Sequence, residues 1–576
     1  MKMRWLLTAA LLVLNASLFA VESEPQDSSR ETAFREMATQ IKLFGEIYRR
    51  VNKEYVDQVD PEQSMEAAIN GMLETLDPYT VYFQPDDLDE LEVVTQGEYG
   101  GIGIEIGIRG KDKELTVISP IDDTPAARKG LRSGDVITTI NGKSTRGFTT
   151  SDAAKLIRGP EGTEVTITIR RVGFDEPLEY TLKREAIRIH DVSYYAMLEN
   201  SQVAYIKLSR FSGKAGGELT AALNDLAAHK PKGLILDLRS NPGGLLPSAV
   251  EVAQQVLKPG MEIVSTRSRT GRMDRTYSAA GEPTAADFPL VVLINGGSAS
   301  ASEIVAGAIQ DHDRGIILGT PSFGKGLVQS VLNLPGGAAL KITTARYYTP
   351  SGRLIQKDRK KEELAMAEAA DDMDSAPALQ DTATLDSSTA KYFTDHGRQV
   401  YGGGGISPDI QSEPMRLDPV VVEMYRRDLF FEFVQNWLNT HERPASFQIP
   451  DEMFNQFIAF LKVNNFEPPV DGIRELEKLR ELGKRDSLAG SYFNELAALE
   501  NSLRARFDPA VSPVREEVLR ALAMEMASAL GGSTMRVRAS FEGDTQLAEA
   551  INLLNNQARY DAILSGTERA MAPAKE

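Results

Sequence analysis

Apolar positions change their spacing several times along the chain, and each change predicts a different kind of element. Between residues 28 and 92, Phe34, Met37, Ile41, Phe44, Ile47, Tyr48, Val51 and Tyr55 recur at helical spacing. Such a stripe belongs in a core or against a partner helix. A second helix is expected over Pro61–Leu76. Glu164-Val-Thr-Ile-Thr-Ile-Arg170 alternates and reads as a strand, and Thr149–Arg158 reads as a short helix. From residue 190 the strands become almost continuously apolar, at 203–208, 232–239, 288–295 and 315–319. Helical patterns lie between them, at 216–229, 246–256 and 303–310. Alternating strands and helices with strands of that kind predict βαβ units and a sheet covered on both faces. Residues 266–286 are polar and predict an exposed loop, while Lys341–Gly352 continues the sheet. Residues 357–391 are charged, alanine-rich and without period, as expected of a disordered insertion. Residues 397–409 return one more strand, and 415–565 form an all-α array that begins at Leu429–Trp437.

A chain of 576 residues holds several domains. The net charge of −18 argues against non-specific nucleic-acid binding. The absence of cysteine excludes disulfides, thiol catalysis, thiolate metal sites and a lipidated N-terminal cysteine. Met1–Arg4 is basic, Trp5–Leu14 is apolar except for Thr8, and Ala20 is small, so residues 1–20 read as a secretory signal peptide. The expected location is outside the cytoplasm, a bacterial periplasm, with a protein that is soluble after cleavage. Membrane association through an uncleaved segment is the alternative.

The chemistry concentrates in residues 288–334. A strand, Phe288–Asn295, runs into Gly296-Gly297, then Ser298-Ala-Ser-Ala-Ser302 and a helix from Glu303. A serine on a tight turn at a helix start suits a nucleophile, because the helix end stabilises negative charge and has free amides. The serine needs a base. His312 lies down the same helix, roughly 18 Å from Ser300 at about 1.5 Å per residue. His190 has Asp191 beside it but nothing ties it to the serine. Lys325, in Phe323-Gly-Lys-Gly-Leu-Val-Gln329, has apolar flanks and no acid within six residues, which suits a neutral amine.

Ser298–Glu303 together with Phe323–Gln329 resembles the carboxyl-terminal processing peptidases, also called tail-specific proteases. The resemblance implies Ser300 as nucleophile, Lys325 as general base and Gln329 as the residue that positions the lysine, with no metal and no cofactor. In a straight strand Lys325 and Gln329 would stand about 13 Å apart, so the Gly-Lys-Gly segment has to bend. Asp237-Leu-Arg-Ser-Asn-Pro-Gly-Gly244 resembles the family segment that lends an amide to the oxyanion hole. Gly243 or Gly244 would be paired there with Ala301, while Asp237 and Arg239 read as a structural ion pair.

Residues 95–184 resemble a PDZ domain, through Tyr99-Gly-Gly-Ile-Gly-Ile-Glu-Ile106 and Ser119–Ile137. Gly100, Gly101, Ile102, Gly103 and Ile104 would cradle a substrate's terminal carboxylate and offer a strand edge to its tail. Family members are thought to use a PDZ arginine to sense substrate, and Arg158 is the candidate.

The implied fold is an α/β crotonase-like (ClpP-like) protease core over 190–410, preceded by a helical region over 28–92 and the PDZ domain, and followed by the helical domain over 415–565. The implied function is an exported serine endopeptidase that reads substrate C-termini through the PDZ domain and cleaves through an acyl-enzyme. Its substrates would be proteins with apolar C-termini. The helical ends would offer surfaces for a homo-oligomer or an adaptor protein. The rivals are a PDZ scaffold that does not cleave and a hydrolase with a Ser-His-Asp triad built on His190 or His312.

Overall fold

The computed structural model describes residues 26–85, 88–199, 201–285, 287–357, 390–414, 416–444, 446–467, 472–488, 490–506 and 514–567. The expected signal peptide, residues 1–20, and nearly all of the expected insertion at 357–391 lie outside the described residues. The chain divides into two compact units, residues 1–83 with 331–342, and residues 84–330 with 343–576.

The first unit contains α1 (Gln26–Glu54), α2 (Pro61–Glu74) and β1 (Val81–Phe83). Asp60 starts α2 by accepting the amides of Glu62 and Gln63, with Pro61 at the first helical position. β1 pairs antiparallel with residues 339–341. The stripe of α1 is not core: Phe34, Met37, Ile41, Phe44, Ile47, Val51 and Tyr55 are all exposed.

The second unit opens with α3 (Leu88–Gln96) and β2 (Glu98–Gly101). Next come β3 (Ile104–Arg109), β4 (Glu114–Pro120), α4 (Pro125–Lys129), β5 (Val136–Ile140), β6 (Lys143–Ser144), α5 (Thr150–Ile157), β7 (Glu164–Arg170) and β8 (Leu178–Lys183). These strands form one sheet in the order β3-β4-β5-β7-β8, with β6 on β5. Ile102, Ile104, Val117, Ile137, Ile167, Ala153 and Ile157 fill its core, so the inward face of α5 packs beside the glycine loop. β9 (Glu185–Arg188) pairs antiparallel with β2. The chain thus enters and leaves this small domain through a two-stranded neck.

The larger core runs through β10 (Val192–Met197), β11 (Val203–Leu208), α6 (Ala215–Ala227), β12 (Gly233–Asp237), α7 (Leu246–Ala253), β13 (Glu262–Arg267), β14 (Arg275–Ser278), β15 (Leu290–Ile294), α8 (Ala301–Asp311) and β16 (Ile316–Gly319). After β17 (Leu327–Asn333), β18 (Ala339–Tyr348), β19 (Lys391–Phe393) and β20 (Gln399–Tyr401) comes β21 (Ile410–Gln411). Six strands form the central sheet in the order β10-β11-β12-β15-β16-β21. β10 is antiparallel to its neighbour and the other pairs are parallel. Residues 266–285 are mostly exposed, as their polarity predicts, but they are not a plain loop. β13 and β14 pair as a hairpin, Arg267 lies 4.3 Å over the Tyr348 ring, and Ala279 and Ala285 are buried. Both faces of that hairpin are mostly polar, so no alternation revealed it.

The tail forms α9 (Pro419–Arg426), α10 (Leu429–Thr440), α11 (Asp451–Val463), α12 (Ile473–Arg485), α13 (Gly490–Arg506), α14 (Val514–Ala539), α15 (Thr545–Leu554) and α16 (Gln557–Leu564). Val420, Phe430, Phe457, Val518 and Leu522 bind α9, α10, α11 and α14 into a separate core. The last two helices do something else. One face of the central sheet, with Ile206, Leu236, Val292 and Ile317, packs on α6, α7 and α8. The opposite face, with Tyr205, Ile235, Val291, Leu293 and Leu318, packs on Leu547, Leu553, Leu554 and Tyr560. Tyr560 Oη also donates to Leu290 O at 3.0 Å and accepts from Leu290 N at 2.9 Å. α15 and α16 therefore supply the second cover that a parallel sheet needs.

Candidate active site

The turn between β15 and α8 separates three serines that look alike in sequence. Ser298 and Ser302 are fully buried. Their hydroxyls donate to Leu238 O at 2.8 Å and Asn241 O at 2.9 Å, which fastens the turn to the end of β12. Ser300 stays half-exposed at the N-cap of α8, with φ +54° and ψ −110°. A non-glycine residue in such a conformation stores strain, as nucleophile turns do.

Lys325 lies in an irregular segment before β17, next to Gly324 at φ +87°. The bend brings Lys325 Nζ to Gln329 Oε1 at 3.2 Å, although a straight strand would hold the two residues far apart. The apolar sequence around Lys325 does not keep acids away in space. The Glu303 carboxylate, fully buried in the first turn of α8, accepts four donors. Oε2 takes the Ser300 amide at 2.8 Å and the Lys325 amide at 2.9 Å. Oε1 takes Ser322 Oγ at 2.5 Å and the Gly324 amide at 2.7 Å. Burial pushes the Glu303 carboxyl up to about 7 against the pull of these four donors. On the other side, buried Tyr347 from β18 aims its hydroxyl at the carbonyl oxygens of Ser300, 3.1 Å away, and of Lys325. One carboxylate thus gathers the two amides and one phenol gathers the two carbonyls. Neither residue was singled out from sequence. Glu303 does carry a signal, since Ser300-x-x-Glu303 has capping-box spacing. Tyr347 carries none.

Gly243 and Gly244 lie against the same turn. A Cβ on Gly243 would stand 2.8 Å from Ala301 N and 2.9 Å from Ser300 Cβ. The Gly243 amide already donates to Asn241 Oδ1 at 2.9 Å. The amides of Gly244 and Ala301 have no acceptor among the described residues. Arg239 pairs with Asp237 at 2.6 Å and with Asp544 at 2.7 Å. Burial works against the charge on Asp237, but the Lys207 and Arg239 cations outweigh it and hold the carboxyl low.

The histidines lie elsewhere. His312 caps the far end of α8, with Nδ1 on Asp395 Oδ2 at 2.8 Å and Nε2 on Glu262 O at 2.7 Å. His190 is exposed beside Glu218, 3.3 Å away. In the small domain, Gly100 and Gly101 end β2, and Ile102 and Gly103 turn the chain into β3 at Ile104. Gly103 has φ +77°, and a Cβ there would strike Thr124 at 2.3 Å. Arg158 ends α5 and lies 4.9 Å over the Tyr99 ring, next to the glycine loop.

Four families match the chain. Peptidase family S41 matches residues 202–364. A PDZ domain matches 116–171, and the probable PDZ-protease C-terminal helical domain matches 420–554. The activating protease CtpB N-terminal domain matches 7–87. A carboxy-terminal-processing protease of Bartonella bacilliformis is 43% identical over 347 residues, covering 60% of this chain and 78% of that protein. A carboxyl-terminal-processing protease of Synechocystis sp. is 39% identical over 339 residues, covering 55% and 78%. Among solved structures, the photosystem II D1 C-terminal processing protease aligns with 32% identity and a TM-score of 0.32, over 55% of this chain and 89% of that one.

Proposed function

The chain belongs to the carboxyl-terminal-processing proteases of peptidase family S41, and from that premise we propose an exported serine endopeptidase with a Ser300–Lys325 dyad on a crotonase-like (ClpP-like) core. The observation that carries the reading is the joint anchoring of Ser300 and Lys325 by Glu303 and Tyr347, with Lys325 Nζ held at 3.2 Å by Gln329.

Ser300 Oγ attacks the scissile carbonyl while Lys325 takes its proton. The amides of Ala301 and Gly244 receive the oxyanion, and Gly243 serves by having no side chain to block it. Fixed amides at that position lower the barrier by several kcal/mol. The tetrahedral intermediate collapses, Lys325 returns the proton to the leaving amine, and an acyl-enzyme remains. Water deacylates it by the same route. The glycine loop of the PDZ domain, Gly100–Ile104, holds the free C-terminus of the substrate, and apolar tail residues enter beside α5. Arg158, stacked on Tyr99 at the root of that loop, senses the occupied groove.

Cleavage of an unstructured protein with an apolar tail tests this. Wild type cleaves it, and the same substrate with a C-terminal amide is cleaved more slowly. Ser300→Ala and Lys325→Ala do not cleave. An active Lys325→Ala enzyme would refute the dyad, and indifference to the amide would refute tail recognition.

A further inference from the structure

The β13–β14 hairpin and its neighbour β18 gather positive charge in a chain whose net charge is −18. In the register of β13 and β18, Thr266 stands opposite Tyr347 and Arg267 opposite Arg346. Thr266 and Tyr347 are buried, so the two arginines point to the other face, where both are exposed. Like charges directly opposite each other destabilise a sheet. Arg267 is nevertheless laid down on that face, 4.3 Å over the Tyr348 ring. Arg269 and Arg272 follow in the turn of the hairpin and Arg275 opens β14, all three exposed.

Elsewhere the chain gives its arginines acids: Arg239 holds Asp237 and Asp544, and Arg398 holds Asp313 and Asp409. Among the described residues, none of the five arginines on this surface pairs with a carboxylate. Two acids share the surface with them. Asp274 Oδ1 is engaged by Ser268 N at 2.6 Å and Ser268 Oγ at 2.9 Å, and Glu262 stands at the opposite end of β13 from Arg267. Beside the arginine pair lies a polar hollow of about 490 Å³, lined by Ser265, Arg267, Arg275, Thr276, Thr349 and Pro350 among others. A bilayer is flat and is held through exposed apolar side chains. This surface is hollowed, and the one large apolar side chain exposed on the hairpin, among the described residues, is Met273. An extended peptide fits the hollow, and its carboxylates supply the partners that the guanidinium groups lack.

We propose that this face is a docking site for an acidic, extended segment of the protein substrate, with one carboxylate held between Arg267 and Arg346. The inference rests on the reading of the chain as a protease, and it names a feature of the substrate apart from its C-terminus. Tyr347, next to Arg346, points the opposite way, to the main-chain oxygens of Ser300 and Lys325. The docked segment therefore touches neither the dyad nor the reacting bond. Its contacts are the same in the ground state and the transition state, so they lower KM and leave kcat alone.

Binding is tested without turnover, on the Ser300→Ala protein, by fluorescence anisotropy of a labelled peptide of alternating Glu and Ser. The peptide is about eight residues long, which spans the face at about 3.3 Å per residue. It binds, its Gln-for-Glu version does not, and binding fades between about 0.1 and 1 M salt, where the Debye length falls from about 10 to about 3 Å. Arg267→Gln with Arg346→Gln weakens binding about tenfold. Arg443→Gln with Lys462→Gln, at exposed sites of the helical tail, removes the same charge without that loss. Phosphatidylcholine vesicles with phosphatidylglycerol are the second probe. Cleavage is then compared for one protein carrying a Glu-rich or a Gln-rich segment upstream of the same apolar tail. Wild type has a KM about tenfold lower for the Glu-rich form at equal kcat, and the arginine-pair variant brings the KM ratio to about one. Melting temperatures establish that the variants fold. Undiminished peptide binding by the arginine-pair variant, or vesicle binding in place of peptide binding, overturns the docking site. Peptide binding with no effect on KM overturns its part in substrate capture. If wild type cleaves neither form, the protease reading falls, while the anisotropy result still decides whether the face takes an acidic segment.

Discussion

Glu303→Gln separates the anchoring of the proposed dyad from the stability of the fold. Glutamine has nearly the same shape, but its amide nitrogen cannot accept hydrogen bonds. Whichever way it points, two of the four donors around residue 303 lose their acceptor. Each buried donor left unpaired costs about 1–3 kcal/mol, so about 2–6 kcal/mol together. Against this, the native carboxyl sits near 7 in the fold and near 4.5 when unfolded. Holding it ionised above pH 7 costs roughly 3 kcal/mol at about 1.36 kcal/mol per pH unit. The glutamine avoids that cost, and the net change runs from a gain of about 1 kcal/mol to a loss of about 3 kcal/mol. Activity has no such offset. A displacement of about 1 Å between reacting groups costs about 10²-fold in rate. The pH dependence carries the sign. A raised folded pKa means that this group's contribution to stability is present below about 4.5 and lost as pH rises through about 7. Catalysis runs the other way, because only the ionised carboxylate accepts all four donors. The wild-type kcat on a peptide substrate should therefore rise through about pH 7, while Glu303→Gln is about 10²-fold slower and lacks that limb. Steady-state kinetics from pH 5 to 9, with thermal melts on the same samples, measure both (the range is set by about two pH units on either side of the Glu303 value). A glutamine variant with wild-type kcat, or one that keeps the pH 7 limb, would refute the anchoring argument.

Two further outcomes follow from the same contacts. Tyr347→Phe removes the hydroxyl shared by Ser300 O and Lys325 O; kcat should fall by about tenfold or more with a stability loss of about 1–2 kcal/mol, and an unchanged kcat would mean that the carbonyl side needs no anchor. Leu554→Ala opens a void against Gly233, whose Cβ position lies 2.7 Å from the leucine Cδ2; a loss of about 2–5 kcal/mol by denaturant titration is expected, and a neutral result would detach the tail from the core.

What the sequence reveals depends on how local each signal is. Ser300 and Lys325 stand in short motifs whose glycines and small residues set the backbone, so both were legible. Gln329 was legible through the resemblance although strand geometry argued against it, because Gly324 supplies the bend. Glu303 has a local capping-box bond to Ser300, but its bonds to Ser322, Gly324 and Lys325 join segments distant along the chain, as all of Tyr347's do, and a helix acid or a strand tyrosine looks the same without them. The apolar flanks of Lys325 likewise say nothing of acids that the fold brings near, and an acid 22 residues earlier accepts its backbone amide. The stripe on α1 is expected in a core or against a partner helix, yet spacing says only that one face is apolar. It does not say what covers that face. Likewise α15 and α16 have ordinary amphipathic faces, and nothing local tells whether the partner is another helix or a sheet.

The seal that α15 and α16 place on the central sheet bears on how the protein is made. Synthesis proceeds from the N-terminus, so the sheet strands and the Ser300 turn emerge long before residues 545–564 exist. Until those helices arrive, Ile235, Val291, Leu293 and Leu318 form an open apolar surface on the nascent chain. Such a surface invites self-association and chaperone capture. The peptidase core therefore matures last to first: its chemistry is encoded mid-chain, but its sheet is finished only when the final helices have been translated.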